Sequence, residues 1–426
     1  MQLAWLAAAV FVVSAGYGAL LPLLPGWLAP LMPGATASEV GRHVGFLSGA
    51  YAAGVLISAP LWGWVSDRVG RGRILIVGLV GYVASLLLLL LPGFAGLVGI
   101  YALRGSAGFF VAAIVPVVSA LVAEHTPEHQ RARRFAWLSA MSLLGFLFGP
   151  GLVAVADGVW SLLGNAALSP ARSAQAVLFT SALLGGVTML GLARTLPTPR
   201  APGGAPRDKP PANAPGRPAA LLWFNGALLF VLAAFELGIV LMGQQEAGRS
   251  SRQASIMFAE CSLVMLAVNA LLFFTSLLER ISPRVVMGAG LVLAMAGLSV
   301  LAWQRSEVWM YLGVSLTSAG TGLVLPVIAY LAAGASPRTL GVTMGGLAAA
   351  AGFGQTLGSA AGGWLFGALA QQTFVGLTLP LLVMLGVLLL RPGSWSIAGN
   401  AWSGRATSAV AVPLPASAKV QQHDGA

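Results

Sequence analysis

The sequence predicts an all-α membrane protein of twelve transmembrane helices, arranged as two pseudo-symmetric six-helix bundles. Three observations lead there. Only 8% of the 426 residues are charged and 57% are hydrophobic, with a mean hydropathy of +0.85. A soluble domain carries about 25% charged residues, so most of this surface must face lipid. Apolar residues also run unbroken through windows matching the ~20 residues needed to cross a ~30 Å hydrocarbon core. Finally, the two halves of the chain repeat one another. Continuous apolar runs, rather than alternating ten-residue strands, make these windows helices and exclude a barrel.

The windows are 3–25, 44–66, 74–92, 95–122, 135–156, 174–194, 219–242, 253–277, 285–303, 308–333, 341–368 and 374–391. The first has no Lys or Arg before it and leads into eleven more, so it reads as a membrane helix and not a signal peptide. With the N-terminus inside, seventeen Lys and Arg fall on cytoplasmic segments and five outside, with Arg104 alone inside a window. That bias places both termini in the cytoplasm and accounts for the net charge of +11. No basic–aromatic patch is left over for nucleic acid. Cys261 is the only cysteine, which excludes an intramolecular disulfide, and it reads as a small buried apolar residue.

Residues 197–218 hold eight prolines and form neither helix nor packed core. They mark a cytoplasmic linker, 196–218, between an N-terminal bundle, 1–195, and a C-terminal bundle, 219–391. A polar tail, 392–426, reads as disordered and cytoplasmic. The repeat is carried by PVVSALVAEHTP from Pro116 and PVIAYLAAGASP from Pro326, 210 residues apart. SAG precedes both, Gly145 and Gly149 have counterparts in Gly354 and Gly358, and Asp67-Arg68 has one in Glu279-Arg280. A duplicated six-helix unit suits a rocking transporter with its site between the halves near mid-membrane.

The charged run GWVSDRVGRGR, residues 63–73, resembles the loop 2–3 signature of the major facilitator superfamily. Gly63, Asp67, Arg68, Gly70, Arg71 and Arg73 fit that signature, while Gly72 replaces a usually basic residue. The resemblance extends to about Pro392 and is nearest to the twelve-helix drug/proton antiporter type. It implies a secondary transporter working by alternating access. A tight loop calls for Gly70 and Gly72 at unusual backbone angles. The resemblance further implies an inner-gate latch, in which Asp67 meets the helix start near Leu340–Gly341 and Arg71 bridges to Glu124. The plainer alternative makes Arg68, Arg71 and Arg73 topology anchors.

Two further runs resemble motifs of the same family. LRGSAG carries Arg104 deep in the fourth window. There a cation is costly and needs a cavity or a carboxylate; it would bind an anionic group of the substrate or influence a proton-carrying acid. GFLFGP resembles the span-five motif of the exporters, with Gly145 and Gly149 as a close-packing face and Pro150 bending this packing hinge. Val153 and Ala154 stand where that motif usually has two more glycines.

Glu236 and Glu260 lie inside windows seven and eight, and a carboxyl group withdrawn from water can load and release protons near neutral pH. Glu236 is the first candidate for proton coupling and Glu260 the second; the plainer alternative puts both near the outer interface with side chains reaching water. The first window has no acid, only Ser14 and Tyr17. Beside Tyr17, the residues Tyr51, Asn225, Asn269 and Gln355 are further candidate cavity polars, each of these four being more typical of helix–helix glue than of a ligand contact. The histidines, with Glu124 and Glu128, complete no metal site, and there is no Walker loop. No enzyme, cofactor or metal is therefore expected. The expected unit is a monomer in lipid of a bacterial inner membrane, exporting a small amphiphilic compound in exchange for protons. Proton-coupled uptake is the rival, with a non-transporting sensor or assembly protein behind it.

Overall fold

The computed structural model describes residues 2–91, 96–124, 126, 134, 137–138, 140–149, 151, 153, 170–195, 217–245, 251–275, 281–333 and 340–390. Nearly all of the linker, the tail and Pro150 lie outside these. Among the described residues, twelve main apolar helices follow in order, with short helices at Leu24–Leu28 and Val115–Glu124 continuing the paths of the first and fourth, and with no strand between them. They are α1 (Gln2–Leu20), α2 (Ala37–Val69), α3 (Arg71–Leu88), α4 (Gly96–Val111), α5 (Ala140–Gly149) and α6 (Pro170–Thr195), then α7 (Arg217–Gln245), α8 (Ser251–Phe274), α9 (Pro283–Trp303), α10 (Glu307–Ala333), α11 (Leu340–Leu369) and α12 (Thr373–Leu390). Ten stretches are long and apolar enough to cross a membrane; Gly346–Leu390 counts once though it holds most of α11 and all of α12, and α5 is shorter.

Where boundaries depart from the predicted windows, local chemistry explains them. α2 starts seven residues before window two because Thr36 and Glu39 form a capping box. The Glu39 N–H donates to Thr36 Oγ1 at 3.2 Å, and the Thr36 N–H donates to Glu39 Oε2 at 2.8 Å. α4 stops at Val111 and the path resumes as Val115–Glu124. Pro116 has no N–H and its ring crowds the carbonyl four residues back. The chain tightens there: Ala113 N–H donates to Phe110 O at 3.0 Å and Ile114 N–H to Val111 O at 2.9 Å, each three residues back.

Of the two turn glycines expected in loop 2–3, the structure needs one. Gly70 has φ +103°, a conformation that costs a side chain about 1–3 kcal/mol. Gly72 is an ordinary residue of the first turn of α3, so the expectation of an unusual angle there is corrected. The helix restarts at Arg71 and leaves a single residue to reverse the chain. Gly70→Ala should accordingly lower the thermal unfolding midpoint of the purified protein, whereas Gly72→Ala should leave it unchanged or raise it.

At the far end, Arg284 at the start of α9 reaches across to the last turn of α12. Its Nε donates to Leu388 O at 3.0 Å and its Nη2 to Leu389 O at 2.8 Å. These charge-assisted bonds satisfy carbonyls that a helix end leaves open. Arg284→Ala should destabilise the protein by about 1–3 kcal/mol, and Arg284→Lys should recover only part of it, since one ammonium cannot fork to both carbonyls. Thermal unfolding in detergent reads both.

In lipid, burial of apolar surface does not drive helices together, so association depends on close backbone packing. Glycine supplies it in both halves. On α5, a side chain at Gly145 would run into Phe11 O of α1, and one at Gly149 into Ala15 O and Ala19 N. On α11, Gly354 and Gly358 press on Gly226 O and Phe230 O of α7. The fifth helix of each half thus packs on the first through two glycines four residues apart, and the repeat read from the sequence has a counterpart in packing. Between the halves, α2 and α11 touch along Gly41, Gly45, Ser359, Gly363 and Gly367, with Ser38 Oγ donating to Gly367 O at 2.9 Å.

Candidate functional site

Tyr17, Tyr51 and Gln355 each lie near the middle of a helix path, on α1, α2 and α11 respectively. The α2–α11 seam and the α1 packing bring them together with Arg104 of α4 and Glu236 of α7. Arg104 is 2% exposed, and its guanidinium carbon lies 4.6 Å from the Tyr51 ring centroid and 5.8 Å from that of Tyr17. The two rings are 5.2 Å apart and tilted by 40°. They form an aromatic wall on which a cation is attracted by the ring faces. Phe146 of α5 extends the wall, edge-on to Tyr17 at 5.5 Å.

At the Tyr17 hydroxyl the chemistry changes. The Gln355 side chain is within hydrogen-bonding reach of the Tyr17 hydroxyl, and the Glu236 carboxylate is near enough to act on it electrostatically. Glu236 also acts on Cys261 of α8. It sits deep among the helices and is half-buried. No hydrogen bond or ion pair holds it among the described residues. Tyr17 thus has both an acid and a guanidinium near it, and these two do not meet among the described residues. α7 is apolar nearly all round, and Glu236 is the only charge along its middle.

The other candidates separate from this group. Glu260 is half-buried; one oxygen accepts from Ser315 Oγ of α10 at 2.5 Å, while Oε2 is buried without a partner. Asn225 donates through Nδ2 to Leu347 O of α11 at 2.8 Å, tying α7 to α11. Asn269 donates to Met265 O within its own helix at 2.8 Å. Both amides are thus taken up by backbone and do not join Arg104 and Glu236. In loop 2–3, Arg68 is exposed and stacks over the Trp64 ring at 3.6 Å, and Arg73 is exposed. Gly63 has open space around it. The side chains of Asp67, Glu124 and 340–345 lie outside the described residues, so the latch is not among the observed contacts. Sequence reasoning missed Tyr82, whose phenol is also near Arg104, and Phe146; an aromatic in an apolar span has no local mark of its direction.

Comparison with known proteins places this architecture. The Major Facilitator Superfamily model matches residues 6–272 and, in a second match, 237–412. The quinolone resistance protein NorA of Staphylococcus aureus is 32% identical over 145 residues, 34% of this chain and 35% of the relative. The class B tetracycline resistance protein of Escherichia coli is 35% identical over 135 residues, 32% of each. The chain thus spans about a third of the length of these curated relatives. Among solved structures, the human organic anion transporter MFSD10 (TETRAN) superposes with a TM-score of 0.69 at 20% identity, over 91% of this chain and 98% of that one. A POT family transporter bound to a thioalcohol-conjugated peptide gives 0.74 at 13% identity, over 93% and 96%. At such identities these structures share the fold alone. The family match makes this chain a member of the Major Facilitator Superfamily.

Proposed function

We propose that the protein exports a small amphiphilic organic compound in exchange for protons, by alternating access about the central group of Tyr17, Tyr51, Arg104, Glu236 and Gln355. The observation that carries this reading is Glu236, a half-buried acid deep in the bundle with no counter-charge among the described residues, which we place beside the transport space. Such a group exchanges a proton with whichever side the space opens to, since no fixed partner competes for it. The resistance proteins of two bacteria among the relatives support export over uptake. The proposed setting is a bacterial inner membrane, as a monomer with both termini in the cytoplasm. We assign Gly145 and Gly149 to the packing hinge and Asp67, Arg71 and Glu124 to the inner latch, each a role to be tested by substitution.

The test is a susceptibility panel of drugs and metabolites in a bacterium lacking its own efflux pumps. Expression should raise tolerance to a subset of compounds, and a protonophore should abolish energy-dependent export of a fluorescent member of that subset. Sensitisation by the protein would reverse the direction to uptake. No response to any compound would remove export as its activity.

A further inference from the structure

Among the described residues, no anion meets the guanidinium of Arg104. Its Nε and Nη2 are both buried and without a hydrogen-bond partner, although the residue is only 2% exposed. The titratable groups that face it are the phenols of Tyr51, Tyr17 and Tyr82, and no carboxylate among the described residues meets it. Leaving a charge and two N–H donors dry inside a bundle is unfavourable unless something else fills the valences. The ring faces at 4.6 Å and 5.8 Å steady the cation from the side, but they accept neither N–H.

The identity of the two empty donors is informative. Nε–H and Nη2–H lie on one edge of the guanidinium plane and point the same way. They are the pair that a carboxylate takes side-on, with two parallel hydrogen bonds. Near the guanidinium stand the tilted rings of Tyr17 and Tyr51, whose aromatic surface suits a flat apolar body.

We propose that Arg104 is an anion subsite and that the transported compound is a flat or aromatic organic acid. Its carboxylate takes Nε–H and Nη2–H while its body lies against Tyr17 and Tyr51. The inference rests on the transport reading above and narrows its substrate class. It also divides labour within the site: Arg104 holds cargo, and Glu236, which is not among the groups that face Arg104, stays free to carry a proton.

The test compares 2-naphthoate with 2-naphthamide, flat probes of nearly equal shape that differ in the negative charge. Binding to the purified full-length protein in detergent is measured by calorimetry. The acid should bind at least about tenfold more tightly than the amide, a difference of about 1.4 kcal/mol. Arg104→Gln should remove that preference, Arg104→Lys should keep part of it, and Tyr51→Leu should weaken both probes. The wild-type comparison stands alone if Arg104→Gln fails to fold. Equal binding of the two probes, or no binding of either, overturns the proposal, as does a preference that survives in folded Arg104→Gln. The two readings fail separately. An acid preference without proton-driven flux keeps the subsite and sinks export; proton-driven flux of an uncharged or cationic compound, with no acid preference, sinks only the subsite.

Discussion

Glu236→Gln is expected to abolish proton-driven transport while leaving the protein folded. The amide has the shape of the acid but exchanges no proton, so a pH gradient across a proteoliposome should no longer drive movement of any compound that the wild type exports. Downhill exchange of that compound should persist, because the aromatic wall and Arg104 are untouched. Stability should hold or rise: the carboxylate has no partner to lose, and a neutral amide is less costly to keep from water. Glu260→Gln is the matched control. Glu260 already accepts from Ser315 and lies outside the central group, so its variant should keep coupling at a level near wild type. Coupling that survives Glu236→Gln would move the proton to another residue.

The second large effect concerns the seam between α7 and α11. A Cβ at Gly358 would fall on the Phe230 backbone, with Cα 2.8 Å away, and one at Gly354 on that of Gly226. Backbone cannot rotate aside as a side chain can, so Gly358→Leu must push the helices apart. Overpacking of this kind costs about 1–3 kcal/mol where neighbours can adjust, and more is expected here. The variant should unfold at a clearly lower temperature in detergent and reach the membrane in reduced amount. Gly376→Leu on α12 meets no heavy atom within 4 Å and should behave as wild type. Equal behaviour of the two variants would mean that the seam does not hold the bundle.

The sequence by itself determined the class of fold and its membrane solvent, because these depend on composition and on run length. Eight per cent charge leaves lipid as the only solvent for most of the surface, and apolar runs of span length leave helix as the backbone's way to satisfy itself. The glycine pairs of α5 and α11 were also legible, since a small residue every fourth position marks one face whatever that face meets. The capping box at Thr36 and Glu39, which sets the start of α2, is passed over by hydropathy windows. Gly72 shows the limit of motif reading: its neighbour Gly70 makes the reversal alone, and helix φ at position 72 asks nothing of glycine.

Only the tertiary structure decided which polar residues belong together. Asn225, Asn269, Gln355 and Glu236 look alike as isolated polar positions in apolar helices. Asn225 and Asn269 are spent on backbone carbonyls; Gln355 and Glu236 reach Tyr17. The difference lies in how each helix is rotated about its axis and how deeply it crosses its neighbour. Those quantities are set by glycine contacts between segments more than a hundred residues apart, such as Gly358 on Phe230, and no local pattern records them. Arg104 was visible as a costly cation, but that it keeps two open donors and lies near an aromatic wall follows from the packing of α1, α2 and α4.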